Sequence, residues 1–519
     1  MDELLAIAAS EGGSETLLRA LRTSWTTLVA TEGAAIRSLL DGLSPELWDG
    51  DPWLVGAYAA SWRSVGSPSR SAALPYFDAA FAGFTDATPV AVRVSIELHY
   101  SASLRSLGRL REALDSADRA AALVAPDVTM PLAWRIRFGA KSALQRGIAL
   151  YHLGDFDSAK TDLRTAAGLA DGNLLHAERV ECLAALSMLE YSLGEFDLAT
   201  GYVSLAREAS ANTDLAESPF VAGALVAELL IAVERNRLTE AEALAPLVAA
   251  TTGRSDWEPL GYYSRAAVSV ISEMYVEGLD LLRQCLQSWR KWDPPGFIVT
   301  VSEGLRATLL LRLGQRDLAW DILGTLEPTQ HHANCPARFI AHLRFVTGDA
   351  AGTLTALADC VAMGDTHSSR TLVDVQLLLA AAYYRLGSPA LADLSFDRGL
   401  ILAVRSGMRL PFRLVPNEDM HGMLDRAAAR PQPAAVHDLI ADVDDWGADG
   451  LDDGLVQLSG REREIVRALL RGSTVSEMAD ELFISVNTVK SHLKSVYRKL
   501  GVGSRQAAIQ RSRELGLQL

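Results

Sequence analysis

The chain has 519 residues, of which 49% are apolar and 22% are charged. This is the composition of a globular protein, and the length exceeds what one compact core usually holds. The first residues are acidic where a secretory signal peptide needs basic ones, and the longest apolar stretch, residues 220–233, contains Glu228. A membrane-spanning helix needs about 20 apolar residues, so these features predict a cytoplasmic protein without membrane contact.

The net charge of −15 is unevenly distributed along the chain. Residues 456–519 contain 11 Lys and Arg against 6 Asp and Glu, so this segment carries +5 and the preceding residues carry −20. A basic segment at the end of an acidic chain predicts that only this segment contacts nucleic acid.

A short motif recurs through residues 1–430. It consists of an apolar stretch, a Gly, and an Ala five places after the Gly, and the steps between the first copies are 40 to 46 residues. A period near 40 that contains two helical patterns predicts a solenoid of stacked helix pairs. The strict copies are Gly108/Ala113, Gly154/Ala159, Gly194/Ala199, Gly314/Ala319 and Gly387/Ala392, and the weaker ones are Gly66/Ser71, Asn236/Ala241 and Gly348/Thr353.

Each part of the motif has a structural role. Gly or Asn tolerates the left-handed conformation in which a first helix ends, and a small Ala lets the second helix approach closely. The aromatic rings of Phe156 and Phe196 are expected to pack against the neighbouring helix. The units resemble tetratricopeptide-type repeats with a somewhat longer period.

Two interpretations of the solenoid remain open. It is either a scaffold or a concave surface that binds a peptide, a metabolite or a partner protein as an effector. Burial between helices explains each tryptophan of this region better than ligand stacking does. These residues are Trp25, Trp48, Trp53, Trp62, Trp134, Trp257, Trp289, Trp292 and Trp320.

The cysteines do not predict a metal site or a disulfide framework. Cys182, Cys285, Cys335 and Cys360 have no CxxC spacing, so we expect buried small residues. The cluster of His331, His332 and Cys335 lacks a fourth ligand nearby, and an ordinary polar loop is the better interpretation.

Catalytic motifs are missing from the sequence. Before residue 455 the only lysines are Lys141, Lys160 and Lys291, and none of them follows a Gly-rich phosphate-binding loop. The serine-hydrolase, zinc-protease and dinucleotide-binding motifs are also lacking, as is the β–α pattern of a phosphoacceptor domain. We therefore expect no enzymatic activity, no catalytic residues and no cofactor.

Residues 431–455 are predicted to form an acidic flexible linker. They contain Pro431 and Pro433, and six acidic residues lie between Asp442 and Asp453. Residues 436–442 could form a last short helix. The linker either folds back onto the basic segment and competes with DNA or is simply solvated, and the second interpretation is preferred.

Residues 456–519 are predicted to form a small helical domain. Ser459 and Thr474, each followed three residues later by Glu, have the pattern of capping boxes, and Ser485 is placed to cap a third helix after Phe483. The short gap between the second and third helices predicts a helix-turn-helix over residues 474–493.

The third helix is predicted to have two distinct faces. At 100° per residue, the apolar residues Val486, Val489, Leu493, Val496, Tyr497 and Leu500 share one face. The opposite face carries donors suited to the major groove, and Thr488 can reach a phosphate. The donors on this face are Asn487, Lys490, Ser491, Lys494 and Arg498.

The strings LSGREREIVRALLRG and EMADELFISVNTVKSHLKSVYRKLGVGSR resemble the LuxR/GerE-type DNA-binding domain of bacterial transcription regulators, over residues 458–516. The resemblance implies four helices, with the third in the major groove and the fourth supporting dimerisation on a two-fold operator. It makes Lys490, Ser491 and Lys494 base-facing residues and Thr488 a phosphate contact. The chain departs from the family at residues 473–476, where a phosphate-contacting Lys is absent, which gives more weight to Arg461, Arg498 and Lys499.

The repeat body before this domain resembles that of the large maltose-activator-type LuxR regulators, without their nucleotide-hydrolysing module. Together these features predict an all-α protein, with a helical-repeat solenoid followed by a four-helix helix-turn-helix domain. The expected function is a sequence-specific transcription regulator that binds double-stranded DNA as a homodimer and responds to an effector on the solenoid. The alternative is an interaction scaffold whose C-terminal domain serves localisation or dimerisation.

Overall fold

A computed structural model of the chain describes residues 13–62, 70–124, 130–253, 255–289, 297–326, 335–364, 367–445, 460–482, 484–500 and 502–514. In these ranges the regular structure consists of α-helices and short 3-10 turns, without a β-strand. The predicted all-α fold class is confirmed. Within the same ranges, every helix is too short or too polar to cross a bilayer.

The chain forms two compact units. The first comprises Met1–Glu228, Pro246–Gly261 and Gln287–Phe297, and the second comprises Leu229–Ala245, Tyr262–Leu286 and Ile298–Leu519. The predicted solenoid of residues 1–430 is thus divided between the two units, and its border at residue 430 stays a prediction.

The helices follow one another with short connections. Up to the middle of the chain they are α1 (Gly13–Asp41), α2 (Pro52–Ser61), α3 (Leu74–Ala82), α4 (Val90–Ser106), α5 (Leu110–Val124), α6 (Leu132–Leu153), α7 (Phe156–Gly168), α8 (His176–Leu193), α9 (Phe196–Ser210), α10 (Ala222–Glu234), α11 (Leu238–Thr252) and α12 (Glu258–Ser272). They continue as α13 (Tyr275–Trp289), α14 (Phe297–Arg312), α15 (Arg316–Leu323), α16 (Ala337–Val346), α17 (Ala350–Ala356), α18 (Ala358–Met363), α19 (Ser369–Arg385), α20 (Pro389–Ser406), α21 (Asn417–Ala428) and α22 (Ala434–Asp445).

The predicted turn of the repeat is confirmed. The first helix of a pair ends at a residue with positive φ, for example Gly154 at +87° between α6 and α7 and Gly194 at +89° between α8 and α9. Asn236 takes the same role, with a φ of +57°. A β-carbon is strained in this conformation, which explains the preference for Gly or Asn. Gly66 lies outside the described residues.

The predicted packing of the repeat is confirmed as well. The motif alanines are inaccessible to solvent, as at Ala113, Ala159 and Ala199. The rings of Phe156 and Phe196 are buried, and the first lies 5.6 Å from the ring of Tyr151 in the preceding helix. Small and aromatic residues at fixed positions therefore join each helix to its partner.

Three further predictions from the sequence can be compared with the structure. Trp134 and Trp320 are 45% and 36% exposed, whereas the other tryptophans described there are at least partly buried, and Trp292 lies outside the described residues. All four cysteines are buried, as predicted. In the predicted linker, α22 is longer than the expected short helix because Val436 and Leu439 pack inward. Residues 446–459 lie outside the described part.

Candidate nucleic-acid interface

Four helices form the C-terminal segment: α23 (Gly460–Arg471), α24 (Val475–Glu481), α25 (Val486–Leu500) and α26 (Arg505–Glu514). Only residues 482–485 separate α24 from α25, which is the predicted helix-turn-helix arrangement. The core between the helices is apolar and buried, and it includes Ile465, Val466, Leu469, Met478, Val489, Leu493, Val496, Leu500 and Ala508.

Two caps fix where the helices of this motif begin. The hydroxyl of Thr474 accepts a hydrogen bond from the backbone N–H of Glu477, whose carboxylate accepts one from the N–H of Thr474, so the predicted capping box is confirmed. The hydroxyl of Ser485 accepts from the N–H of Thr488 at 3.1 Å and contacts its hydroxyl at 2.7 Å. Thr474 thus fixes the start of α24, and Ser485 fixes the start of α25.

The third predicted cap residue, Ser459, lies outside the described residues. Its expected partner Glu462 is buried, and the Glu462 carboxylate accepts hydrogen bonds from Ser495 and Lys499 on α25, at 2.8 and 2.7 Å. This pair ties α23 to α25. It also draws the Lys499 ammonium toward the domain, because a buried carboxylate attracts a cation strongly. Lys499 is thus less available for DNA than the sequence suggested.

The predicted polar face of α25 is solvent-exposed. Its donors Asn487, Lys490, Ser491, Lys494 and Arg498 all lie on the surface. Successive cations are four residues apart, so they form a row with steps of about 6 Å along the helix. In the described part of the chain, no carboxylate forms an ion pair with any of the three cations of this row.

One residue of the predicted apolar face behaves differently. Val486 is 41% exposed because it is the first residue of α25, where the helix extends past the domain core. Its assignment to the packing face is wrong. Tyr497 is partly buried and lines a shallow depression beside the cationic row, together with Lys490, Leu493, Lys494, Arg498 and Val502.

Arg461 and Arg471 are two of the cations outside α25. The Arg461 guanidinium pairs with Glu464 at 2.7 Å, and Arg471, which the sequence reasoning did not select, pairs with Glu481 at 2.6 Å. All four side chains are at least 40% exposed. Exposed pairs of this kind hold their partners weakly, so a phosphate can compete for either arginine.

The last helix reaches a body helix of the same compact unit. Arg511 on α26 pairs with the Asp280 carboxylate of α13 at 3.1 Å and donates to the backbone carbonyl of Val276 at 3.2 Å. The Arg511 side chain is 16% exposed. A face of α26 is therefore occupied by the body in this structure.

The first compact unit contains a cavity of about 350 Å³ that the sequence did not reveal. Its walls come from α1, α4, α6 and α8 and from the turn at Ser255 and Asp256. Residues so distant in sequence meet only in the fold, which explains why no local pattern marks the cavity.

A buried ionic cluster lies at this cavity. Arg105, with no solvent exposure, pairs with Asp256, donates to Glu181 at 2.8 Å and donates to Gln145 at 3.1 Å. Burial lowers the pKa of the neighbouring His152 to about 4, with the Arg105 charge acting in the same direction. This imidazole is consequently neutral at pH 7.

The second unit brings Cys335, Cys360 and His367 together. Their donor atoms lie within 4.8 Å of one another, and the two sulfurs are 3.6 Å apart. The hydrogen bond between the thiols and their burial raise the pKa of Cys360. Structural zinc sites use four ligands, and the described residues supply three here. His331 and His332 lie outside the described residues.

Comparison with known proteins places the C-terminal segment. Residues 456–512 match the family described as bacterial regulatory proteins, luxR family. The spore germination protein GerE of Bacillus subtilis is 44% identical over 52 residues, which are 10% of this chain and 70% of GerE. The probable transcriptional regulatory protein NarL of Mycobacterium tuberculosis is 42% identical over 52 residues, and the chain spans 24% of its length.

Two solved structures align with most of the chain at low scores. The alignment with the crystal structure of the APC/C hetero-tetramer Cut9-Hcn1 covers 83% of this chain and 92% of the matched chain, with a TM-score of 0.38 and 12% identity. The alignment with the structure of Naa15/Naa10 bound to HypK-THB covers 97% of this chain and 85% of the matched chain, with a TM-score of 0.23 and 11% identity. At these scores the likeness carries no argument about function.

Proposed function

The chain belongs to the luxR family of bacterial regulatory proteins, and on that premise we propose that it is a cytoplasmic, sequence-specific transcription regulator. It binds double-stranded operator DNA as a homodimer and inserts α25 into the major groove. The helical-repeat body binds an effector or a partner protein, which controls DNA binding. The proposal includes no enzymatic activity.

The observation that carries the proposal is the exposed cationic row of α25. Lys490, Lys494 and Arg498 lie on one helix face, and no described carboxylate neutralises them. Three unpaired cations repel one another and do not stabilise a surface, whereas DNA phosphates and guanine edges are good partners for them. Asn487 and Ser491 on the same face supply hydrogen bonds for reading bases.

Thr474, Ser485 and Thr488 support the same function in two ways. Thr474 and Ser485 cap α24 and α25, Thr488 lies in the first turn of α25, and helix N-termini are positions where backbone N–H groups bind phosphates. Arg461 would add a phosphate contact outside α25, and Lys499 would mainly hold α25 in place through Glu462. All of these residues belong to the proposed interface.

We propose that the body controls DNA binding through its contact with α26. The Arg511–Asp280 contact occupies a face of α26, the helix that the family uses for dimerisation. A body that holds this face would compete with pairing on the operator. An effector that weakens the contact would then favour the DNA-bound dimer.

The test is a salt-titrated binding assay with genomic fragments and the full chain. We expect Lys490→Ala with Lys494→Ala to reduce affinity for a retained fragment at least about 30-fold, since each base contact is worth roughly 1–3 kcal/mol. The matched control, Arg207→Ala with Arg237→Ala, removes two exposed cations of the body and should leave binding unchanged. Equal, weak binding of all fragments would favour the scaffold alternative.

A further inference from the structure

Three side chains of the types that bind soft metal ions meet in the second compact unit. Cys335 lies just before α16, Cys360 lies in α18, and His367 lies just before α19. Their donor atoms are within 4.8 Å of one another, and the two sulfurs are 3.6 Å apart. All three residues are buried, with exposed fractions of 3%, 0% and 4%. Three separate segments of the chain thus bring two thiols and one imidazole to a single point in the interior.

The separation of the donor atoms is close to that in a zinc complex. A tetrahedral zinc ion with zinc–sulfur bonds of about 2.3 Å holds two sulfurs roughly 3.8 Å apart, and it holds a sulfur and an imidazole nitrogen roughly 3.6 Å apart. The sulfurs of Cys335 and Cys360 already have nearly this spacing. Since the His367 nitrogen is within 4.8 Å of both sulfurs, it needs to approach them by at most about 1.2 Å.

Hydrogen bonds select the ring nitrogen of His367 that can bind a metal ion. Its Nδ1 lies 3.1 Å from the backbone carbonyl oxygen of Ser368 and 3.2 Å from the hydroxyl oxygen of Thr371. A carbonyl oxygen only accepts hydrogen bonds, so Nδ1 carries the proton and Nε2 carries the lone pair that a metal ion needs. Metal-binding histidines are typically oriented in this way, through a hydrogen bond from the other ring nitrogen to a carbonyl group.

Packing as small apolar residues explains the other two cysteines better than it explains this pair. The Sγ of Cys182 lies 3.7 Å from a backbone carbonyl oxygen, and that of Cys285 lies 3.5 Å from a serine hydroxyl. Among the described residues, neither belongs to a group of three metal-binding side chains. Cys335 and Cys360 instead contact each other beside an imidazole, an arrangement that packing does not require.

From this geometry we propose that Cys335, Cys360 and His367 bind one zinc ion, with water in the fourth position. Two cysteines and one histidine are a known set of zinc ligands that leaves one position open. On binding, each thiol forms a sulfur–zinc bond and releases its proton to the solvent, while Nε2 of the imidazole donates its lone pair. No electron is transferred. The ion would join the start of α16 to α18 and to the start of α19.

Other metal ions suit these ligands less well. Magnesium and calcium need oxygen ligands. Two thiolates and a neutral imidazole form a neutral complex with Zn²⁺, whereas the same ligands leave one negative charge with Cu⁺, which is costly in a buried site. A disulfide between Cys335 and Cys360 is the alternative without a metal. The burial of both thiols disfavours it, because oxidants react fastest with exposed thiolates.

The test is a titration of the fully reduced, metal-free full chain with Co²⁺, which replaces zinc and reports thiolate ligands by a charge-transfer absorption band. We expect one Co²⁺ per chain, this band, and the visible bands of a tetrahedral complex. Added Zn²⁺ should remove all of them. Absence of the charge-transfer band at saturating Co²⁺ would overturn the proposal. So would a chain that is purified with a disulfide between Cys335 and Cys360 and takes up no metal after reduction.

A pair of matched variants locates the ion. Cys360→Ser should weaken Zn²⁺ binding at least about 100-fold, because loss of the hydrogen-bond partner of a ligand already costs about 10- to 100-fold and loss of the ligand itself costs more. Cys285→Ser makes the same change at a buried thiol of the same compact unit and should bind like the parent. Equal affinities of the two variants would contradict the assignment.

His367→Cys distinguishes a metal ligand from a residue that only packs. The change replaces a nitrogen ligand by a third thiolate, so the variant should still bind Co²⁺ and its charge-transfer band should be about one half stronger. A band of unchanged strength, or none, would show that residue 367 is not a ligand. If Cys360→Ser fails to fold, the parent chain and His367→Cys still decide the question, since both keep the two cysteines.

Discussion

Substitution of Arg105 tests how much the buried ionic cluster contributes to the stability of the first compact unit. Its side chain is inaccessible to solvent and pairs with Glu181 and Asp256, whose side chains are 6% and 9% exposed. Arg105→Met keeps most of the side-chain volume but leaves two buried carboxylates without their cation. Removing one partner of a buried ion pair destabilises a protein by about 3–5 kcal/mol, a large part of the roughly 5–15 kcal/mol that holds a domain together.

The control is an ion pair of similar geometry on the surface. Arg207 pairs with Glu228 at 2.7 Å, but the two side chains are 46% and 24% exposed. Solvent screens this pair, so Arg207→Met should cost less than about 1 kcal/mol. The assay is urea unfolding followed by tryptophan fluorescence, because Trp25 and Trp257 are buried in the same compact unit.

A third variant separates charge from packing. Arg105→Met combined with Glu181→Gln and Asp256→Asn removes all three charges, so it should recover much of the stability that Arg105→Met loses. If Arg105→Met costs no more than Arg207→Met, the ion pairs of Arg105 with Glu181 and Asp256 are screened by solvent and the cluster is not buried.

Two other predictions concern pH and the C-terminal helix. Burial lowers the pKa of His342 from 6.5 to about 4. The neutral imidazole therefore stabilises the fold fully above pH 6.5, and about 3 kcal/mol of this stability is lost as the pH falls toward 4. A pH series of urea unfolding midpoints should show the loss, and His342→Gln should reduce it. Asp280→Ala should release Arg511 and raise operator affinity about three- to tenfold. Glu277→Ala makes the same change of charge on the same helix and should leave operator affinity unchanged. Equal effects of the two variants would contradict a specific contact between Arg511 and Asp280.

Local patterns predicted the parts of the fold that depend on neighbouring residues. The capping box at Thr474 and the faces of α25 follow from residues within one or two helical turns, so the sequence displays them directly. The same is true of the repeat, in which a Gly with positive φ and a buried Ala lie five residues apart, as in Gly154 and Ala159.

Features made by distant residues could not be predicted in this way. Arg105 is 76 residues from Glu181 and 151 from Asp256, and nothing in its own helix indicates that it is buried. The charge of Lys499 suggested a DNA contact, but the position of Glu462 on another helix decides where its ammonium lies. Tertiary contacts, which a local pattern does not contain, determine both.

The distribution of charge also limits how the protein binds DNA. Three cations of α25 form no ion pair with a carboxylate among the described residues, and they contribute a slope of log affinity against log salt of about −2.7 per protomer. For a dimer the slope is about −5.4, roughly half that of a strongly electrostatic repressor. Residues 1–455 carry −20, and the repulsion from this charge extends about 8–10 Å at physiological ionic strength. Non-specific attraction is therefore weak. On the proposed function, stable binding would then come from base contacts by Asn487, Lys490, Ser491 and Lys494, which would favour discrimination between operators over general affinity for DNA.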